Sequence, residues 1–263
     1  MGEKDYTLKD PVFRQGLASG AKSESVFDKE KLMVVGGAST QLLMRDKPEL
    51  LRPTTDIDFI INGPSSKSLR RTWADYLTKI LKEENYICEG DLTRYGAGIK
   101  FHNLPTDFLV HLDCFGPNYF NRHKKRIEGE YERAEIINFG GTKVRTHSPM
   151  DLITNKVRRI KKLEEISLGL DSGAKVFLSL IEDAQFDESL TVKPTLNKLM
   201  KFRQQNIEDL ARLGYGQILN QIEIYKVEKD IYDICSVIEA SYRNNKQIPA
   251  KEFKKALNLA LIA

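Results

Sequence analysis

The sequence predicts an α+β domain followed by a mostly helical one, and three observations carry that expectation. Two short apolar runs, Leu32–Val35 and Asp56–Ile61, read as buried strands, the first ended by Gly36-Gly37 and the second by Asn62-Gly63-Pro64. Two further stretches, 98–115 and 134–146, carry hairpin patterns around Asn103-Leu104-Pro105-Thr106 and Gly140-Gly141. At Ser148 the texture changes. Ser148-Pro149-Met150-Asp151 places an N-cap serine, a proline at the first helical position and an acid at the third, and helical periodicity dominates from there onward. The boundary therefore falls near residue 147, giving residues 1–147 to the mixed domain and 148–263 to the helical one.

At 263 residues the chain has length for one large or two modest packed domains. Its 41% hydrophobic and 30% charged composition matches an ordinary soluble globular protein rather than a fibrous or disordered one. No run approaches the roughly 18 apolar residues that would span a bilayer. The opening MGEKDYTLKDPVF lacks the apolar core of a secretory signal. Three cysteines, Cys88, Cys114 and Cys235, are scattered without metal-ligand spacing, as expected of buried thiols in a reducing compartment. These features predict a cytoplasmic protein.

Element by element, residues 1–30 are polar with little periodicity and read as a loosely attached leader with room for one short helix. The strand at 32–35 passes through the glycine pair into a short helix over 38–46. After the second strand, Leu69, Trp73, Leu77, Ile80 and Leu81 recur at helical spacing between Ser68 and Glu84. The hairpin strands follow, then the helical half, with a weaker loop near 183–195. The net charge of +4 concentrates in Arg122-His123-Lys124-Lys125-Arg126 and around Arg158-Arg159, either as solvated loop and helix surface or as a footprint for a polyanion.

The chemistry centres on Asp56-Ile57-Asp58. Residues two apart on a strand share a face, so both carboxylates project together while Ile57 and Phe59 turn the other way. Paired carboxylates repel unless a positive charge neutralises them, and Mg²⁺ with its preference for oxygen ligands does so. The Gly36-Gly37 turn lets backbone approach a phosphate, and the following helix start offers free N–H groups, with Ser39, Thr40 and Thr54 as candidate hydroxyl donors. Asp113 is the candidate third carboxylate. It lies on a strand able to pair beside the Asp56 strand, whereas Asp107, of the same parity, is about 20 Å away along that strand. His111 shares the face of Asp113 and reads as a structural histidine next to the site. Three carboxylates would support a two-metal, in-line displacement on a nucleoside triphosphate, with Asp56 and Asp58 as shared metal ligands and Asp113 able to accept a proton.

Lys156 stands out in the second half. Leu152, Ile153, Val157, Ile160 and Leu163 define one apolar arc of a helix, and Lys156 falls within it. A buried ammonium needs an anion. It either snorkels to the surface or reaches a cleft where triphosphate oxygens supply the charge. Arg158 and Arg159 point elsewhere, toward a larger anionic substrate. From spacing alone Asp209 is a solvated helix acid.

The islands Val34-Val35-Gly36-Gly37-Ala38 and Arg52-Pro53-Thr54-Thr55-Asp56-Ile57-Asp58-Phe59 resemble the DNA polymerase β-like nucleotidyltransferase superfamily. Within it, the pattern is similar to the AbiEii/MenT-like group of bacterial toxins, as is Asp151-Leu152-Ile153-Thr154-Asn155-Lys156 and, loosely, Gln205-Asn206-Ile207-Glu208-Asp209-Leu210. The resemblance implies a nucleotidyltransferase-fold mixed sheet with flanking helices over 1–147 and a helical domain over 148–263 closing a nucleotide cleft. It implies Mg²⁺ and a nucleoside triphosphate (ATP, GTP or CTP), a nucleotide contact for Lys156 and an active-site role for Asp209. It further implies an RNA acceptor, tRNA 3′ ends above all, and a cognate antitoxin as protein partner; with such an acceptor, the basic residues Arg122, Lys124, Lys125, Arg126, Arg158 and Arg159 would meet its phosphates. Two departures leave the acceptor open: eighteen residues separate Gly37 from Asp56, with Lys47-Pro48-Glu49 resembling an insertion, and Asn206 stands where the group has an acid. Alternatives are transfer to a small molecule or a protein hydroxyl, and a catalytically silent nucleotide- or RNA-binding module.

Overall fold

Alternation of buried and half-buried residues along Asp56–Pro64 sets the architecture: Ile57, Phe59 and Ile61 are at most 1% exposed, while Asp56, Asp58 and Ile60 face the other way. One sheet face thus becomes apolar core and the other is reserved for the acids. The computed structural model describes residues 6–27, 31–47, 51–90, 99–166, 230, 233, 234, 236, 237 and 240. The chain divides into two compact units, Met1–Ser148 and Pro149–Ala263.

In the first unit the strands are β1 (Leu32–Val35), β2 (Asp56–Pro64), β3 (Tyr86–Gly90), β4 (Ile99–Asn103), β5 (Phe108–Phe115), β6 (Glu135–Phe139) and β7 (Thr142–Thr146). They form a sheet in the order β3-β4-β5-β2-β1-β7-β6. The pairs β2/β5 and β1/β7 are parallel and the others antiparallel, so the sheet is mixed. Flanking helices are α1 (Pro11–Lys22), α2 (Gly36–Leu43), α3 (Lys67–Leu81) and α4 (Pro117–Glu132). This is the α+β class the sequence predicts. In the second unit, α5 (Pro149–Ile166) starts at the predicted proline, and residues 230, 233, 234, 236, 237 and 240 are helical.

The main core joins Phe13 and Leu17 of α1, Trp73 and Leu77 of α3, and the inward residues Ile57, Phe59, Phe101, Val110 and Leu112 of the strands. The opposite face carries a smaller core, where Phe120, Ile127 and Tyr131 of α4 pack with Met33, against Val35, Ile60 and Phe115. Tyr131 Oη donates to the Ile60 carbonyl at 2.5 Å. So α4 and the acids share one face of the sheet.

The structure revises three sequence expectations in this unit. Residues 11–22 are not a loose leader. Phe13, Gly16, Leu17 and Gly20 fall at i, i+3, i+4 and i+7 and are all buried. A Cβ at Gly20 would lie 2.2 Å from the Phe59 ring, and one at Gly16 would lie 2.8 Å from Val110. Half of the buried stripe is therefore glycine, which contributes nothing to an apolar periodicity. Gln41 ties the leader down further, accepting from Leu8 N and donating to the carbonyls of Tyr6 and Arg52. Second, β3 follows α3 before the hairpin strands, after a 3-10 turn over Lys82–Glu84 that Asn85 ends at φ 62°. Third, the basic segment 122–126 is part of α4 rather than a loop, nucleated by Pro117 in its first turn. Among the described cysteines, Cys114 is buried as expected, whereas Cys88 is exposed. No helix among the described residues is long and apolar enough to cross a membrane.

Candidate active site

The parallel pairing of β2 with β5 sets Asp58 opposite His111 and Ile60 opposite Asp113. Since residues two apart share a face, Asp58, His111 and Asp113 converge. His111 Nδ1 lies 3.2 Å from Asp58 Oδ1, and its Nε2 lies 3.5 Å from Asp113 Oδ1. One ligating atom from each of the three can be chosen so that all lie within 4.8 Å of one another. Asp58 and His111 are largely covered and Asp113 is half-exposed.

The electrostatics follow from that crowding. Burial alone would lower the His111 pKa, but the hydrogen bond to Asp58 and the charges of Asp113 and Asp58 outweigh it and leave the imidazole above its ordinary value. Burial raises the Asp113 carboxyl, and the charges of Asp58 and Asp56 add to it against the opposing pull of His111 and Lys100. Two acids thus share a site that favours positive charge between them, and the imidazole occupies that position.

The diglycine turn abuts this cluster. Val35 pairs with Asp58 across β1 and β2, so the chain leaves the sheet beside that carboxylate. Gly36 has φ +66°, and a Cβ on it would lie 3.0 Å from Asp58 Oδ2. A side chain there is strained by the left-handed backbone and would crowd the carboxylate. At Gly37 a Cβ would meet Thr54 Oγ1 at 3.0 Å and Arg52 Nη2 at 3.2 Å. Thr54 Oγ1 donates to Asp56 Oδ1 at 2.9 Å, so this hydroxyl orients a carboxylate.

The remaining candidates are distributed as follows. Asp56 lies opposite Leu109, one step from the converging trio, and reaches Asp113 through its charge. Ser39 and Thr40, expected as phosphate donors, are turned into the fold: Ser39 is fully buried and accepts from Thr146 Oγ1 at 2.7 Å, and Thr40 donates to the Gly36 carbonyl. Asp107 stays at the hairpin turn, 2.5 Å from His102 Nε2. On α4, Arg122, Lys124 and Lys125 are exposed, while Arg126 donates to Glu130 and to Tyr119 Oη.

In the second unit, Lys156 is buried as its place on the apolar arc requires, and its anions are protein carboxylates. Its Nζ donates to Asp230 Oδ1 at 3.0 Å and Asp233 Oδ2 at 2.7 Å. Arg159 also pairs with Asp230, and Arg158 donates to Asn155 Oδ1. The sequence expectation of a triphosphate or a snorkelling chain had no place for these two acids. Asp209 lies outside the described residues.

The donor set at the strand pair suits a divalent cation. Asp58 and Asp113 supply hard carboxylate oxygens of the kind Mg²⁺ prefers, and the imidazole nitrogen widens the choice toward Mn²⁺ or Zn²⁺.

No family model and no curated protein matches the chain. Among solved structures it is similar to an antigenic nucleotidyltransferase-like protein from Paracoccidioides brasiliensis, 15% identical over 94% of this chain and 93% of that one, with a TM-score of 0.37. It is also similar to terminal uridylyl transferase 4 from Trypanosoma brucei with bound UPU, at 11% identity, TM-score 0.28, covering 57% of this chain and 44% of that one. A third is mtPAP in complex with ATPγS, at 10% identity, TM-score 0.30, covering 74% of this chain and 43% of that one. All three scores are low, and the reading of the site rests on this chain's own residues.

His111 is the member of the cluster that sequence reasoning placed at the margin. Its parity with Asp113 was visible, but its position between two carboxylates depends on the β2/β5 register, which no local pattern specifies.

Proposed function

We propose that the chain is a divalent-metal-dependent nucleotidyltransferase that moves a nucleoside monophosphate from a nucleoside triphosphate to the 3′ hydroxyl of an RNA. The observation that carries this reading is the contact of the Gly36-Gly37 turn with Asp58 in the Asp58–His111–Asp113 cluster. A phosphate-approachable backbone and a cation-binding acid pair lie side by side, and triphosphate chemistry needs both. Asp58 and Asp113 would hold the cation, with Asp56 beside them; when bound, it supplies charge neutralisation for the phosphate oxygens.

In the reaction, the acceptor hydroxyl oxygen bonds to the α-phosphorus while the bond from that phosphorus to the pyrophosphate oxygen breaks. Asp113, half-exposed on the strand beside Asp58, is placed to take the hydroxyl proton. Thr54 holds Asp56 in place through its hydroxyl. The absent side chain at position 36 leaves the backbone close to Asp58.

The test is incubation of the full chain with each α-³²P-labelled triphosphate, Mg²⁺ or Mn²⁺, and total RNA. Label should enter RNA, and Asp58→Asn should lower the rate by at least about 100-fold, in line with the loss of a metal-supporting group. Label in protein or in a small molecule would overturn the RNA acceptor. An Asp58→Asn variant as active as the parent would overturn the site.

A further inference from the structure

The alternation that places His111 and Asp113 on one face of β5 continues to Phe115, the last residue of the strand and two residues beyond Asp113. Phe115 is therefore about 7 Å along the strand from the acid. Its ring stacks on Tyr119 of α4, with centroids 5.6 Å apart and planes 16° from parallel. Tyr119 in turn lies against His123, one helical turn on, at 4.4 Å. Helix geometry departs from ideal at His123, with φ −112° and ψ 15°. Tyr119 is 47% exposed, yet it is held by contact with these two rings and by Arg126, which donates to its hydroxyl at 3.0 Å. On the same helix Arg122, Lys124 and Lys125 are exposed, Lys124 lying 3.7 Å from Glu128.

An exposed aromatic ring fixed in place has little rotamer freedom left to lose on binding. Flat rings interleaved with cations suit a single-stranded nucleic acid: bases stack on the rings in any sequence, and phosphates meet the lysines and arginines. A protein ligand would find no comparable apolar depth here, because Phe120 and Ile127, the neighbouring apolar residues of α4, are turned into the core.

We propose that Phe115, Tyr119 and His123 form a base-stacking platform for the 3′-terminal nucleotides of a single-stranded RNA acceptor. Arg122, Lys124 and Lys125 hold its phosphates, and the strand geometry delivers its end to Asp113. The proposal rests on the nucleotidyltransferase reading above, but its test does not need catalysis.

The full chain is titrated against a short fluorescein-labelled single-stranded oligoribonucleotide, without triphosphate or metal, and binding is followed by anisotropy. Tyr119→Ala should weaken binding about 5- to 150-fold, the range for one lost stacking partner. Tyr119→Phe, which keeps the ring and loses only the Arg126 hydrogen bond, should bind within about threefold of the parent. Replacing Lys124 and Lys125 by alanine should flatten the slope of log affinity against log salt by about 1.4, two single-strand phosphate contacts' worth. A parent chain that does not bind the oligonucleotide, or a Tyr119→Ala variant that binds as tightly as the parent, overturns the platform. Intact, Tyr119-dependent binding with no transfer to any RNA would instead overturn the catalytic reading alone.

Discussion

Replacing Lys156 by methionine keeps the apolar stem and removes the ammonium that Asp230 and Asp233 share. The two carboxylates have side chains 0% and 1% exposed, so neither can recover its lost partner from water. Arg159 remains beside Asp230, but its own side chain is half in solvent. Removing one member of a buried ion pair costs about 3–5 kcal/mol, because the remaining charge stays desolvated. That shifts the unfolding equilibrium roughly 200- to 5,000-fold. Urea unfolding followed by helical circular dichroism measures it as a lowered midpoint. Adding Asp230→Asn and Asp233→Asn to Lys156→Met should recover part of the loss, since the stranded charges are then gone. If Lys156→Met loses less than about 1 kcal/mol and instead only weakens triphosphate binding, the ion-pair account is refuted and the nucleotide contact implied by motif resemblance is restored.

Docking of α1 is tested at Gly20, where alanine would place a methyl group 2.2 Å from the fully buried Phe59 ring. Overpacking there should cost about 1–3 kcal/mol, against the roughly 1 kcal/mol gain that alanine brings to a free helix. Measured stabilisation in a thermal melt would mean α1 is undocked. The buried Tyr131 hydroxyl, which donates to the Ile60 carbonyl, is held well above the ordinary tyrosine pKa first by burial and then by Glu130. A pKa raised in the fold contributes stability that is present below the unfolded value of 10.0 and is lost as pH rises past it. Melts of the parent chain should therefore fall with pH above 10, and Tyr131→Phe should flatten that fall; an ultraviolet titration in which all ten tyrosines ionise while the fold persists contradicts this.

The strand chemistry was legible because it is local. Period-2 alternation announces that Asp56 and Asp58 face away from Ile57 and Phe59, and the glycine pair announces the turn beside them. Which of the two acids meets Asp113 is not local. It depends on the pairing of β2 with β5, segments some fifty residues apart in sequence, and a two-residue slip would exchange Asp58 for Asp56. A slip the other way would set Ile60 opposite His111 and leave the imidazole without a carboxylate across the pair. Lys156 shows the other half of the lesson: the apolar arc demanded a counter-charge, but its carboxylates come from 74 and 77 residues further along the chain. In α1 the informative residues were glycines, whose contribution is the absence of a side chain. A periodicity built on hydrophobic content passes over them.

The account stands on Asp58 and Asp113 holding a divalent cation beside the diglycine turn. Titrating the full chain with Mn²⁺, and following the free ion by electron paramagnetic resonance, measures this without any assumption about substrate. The parent should bind the ion saturably, and Asp58→Asn and Asp113→Asn should each weaken that binding by at least about 10- to 100-fold, with the fold unchanged by circular dichroism. Equal Mn²⁺ affinity in the parent and both variants would contradict it.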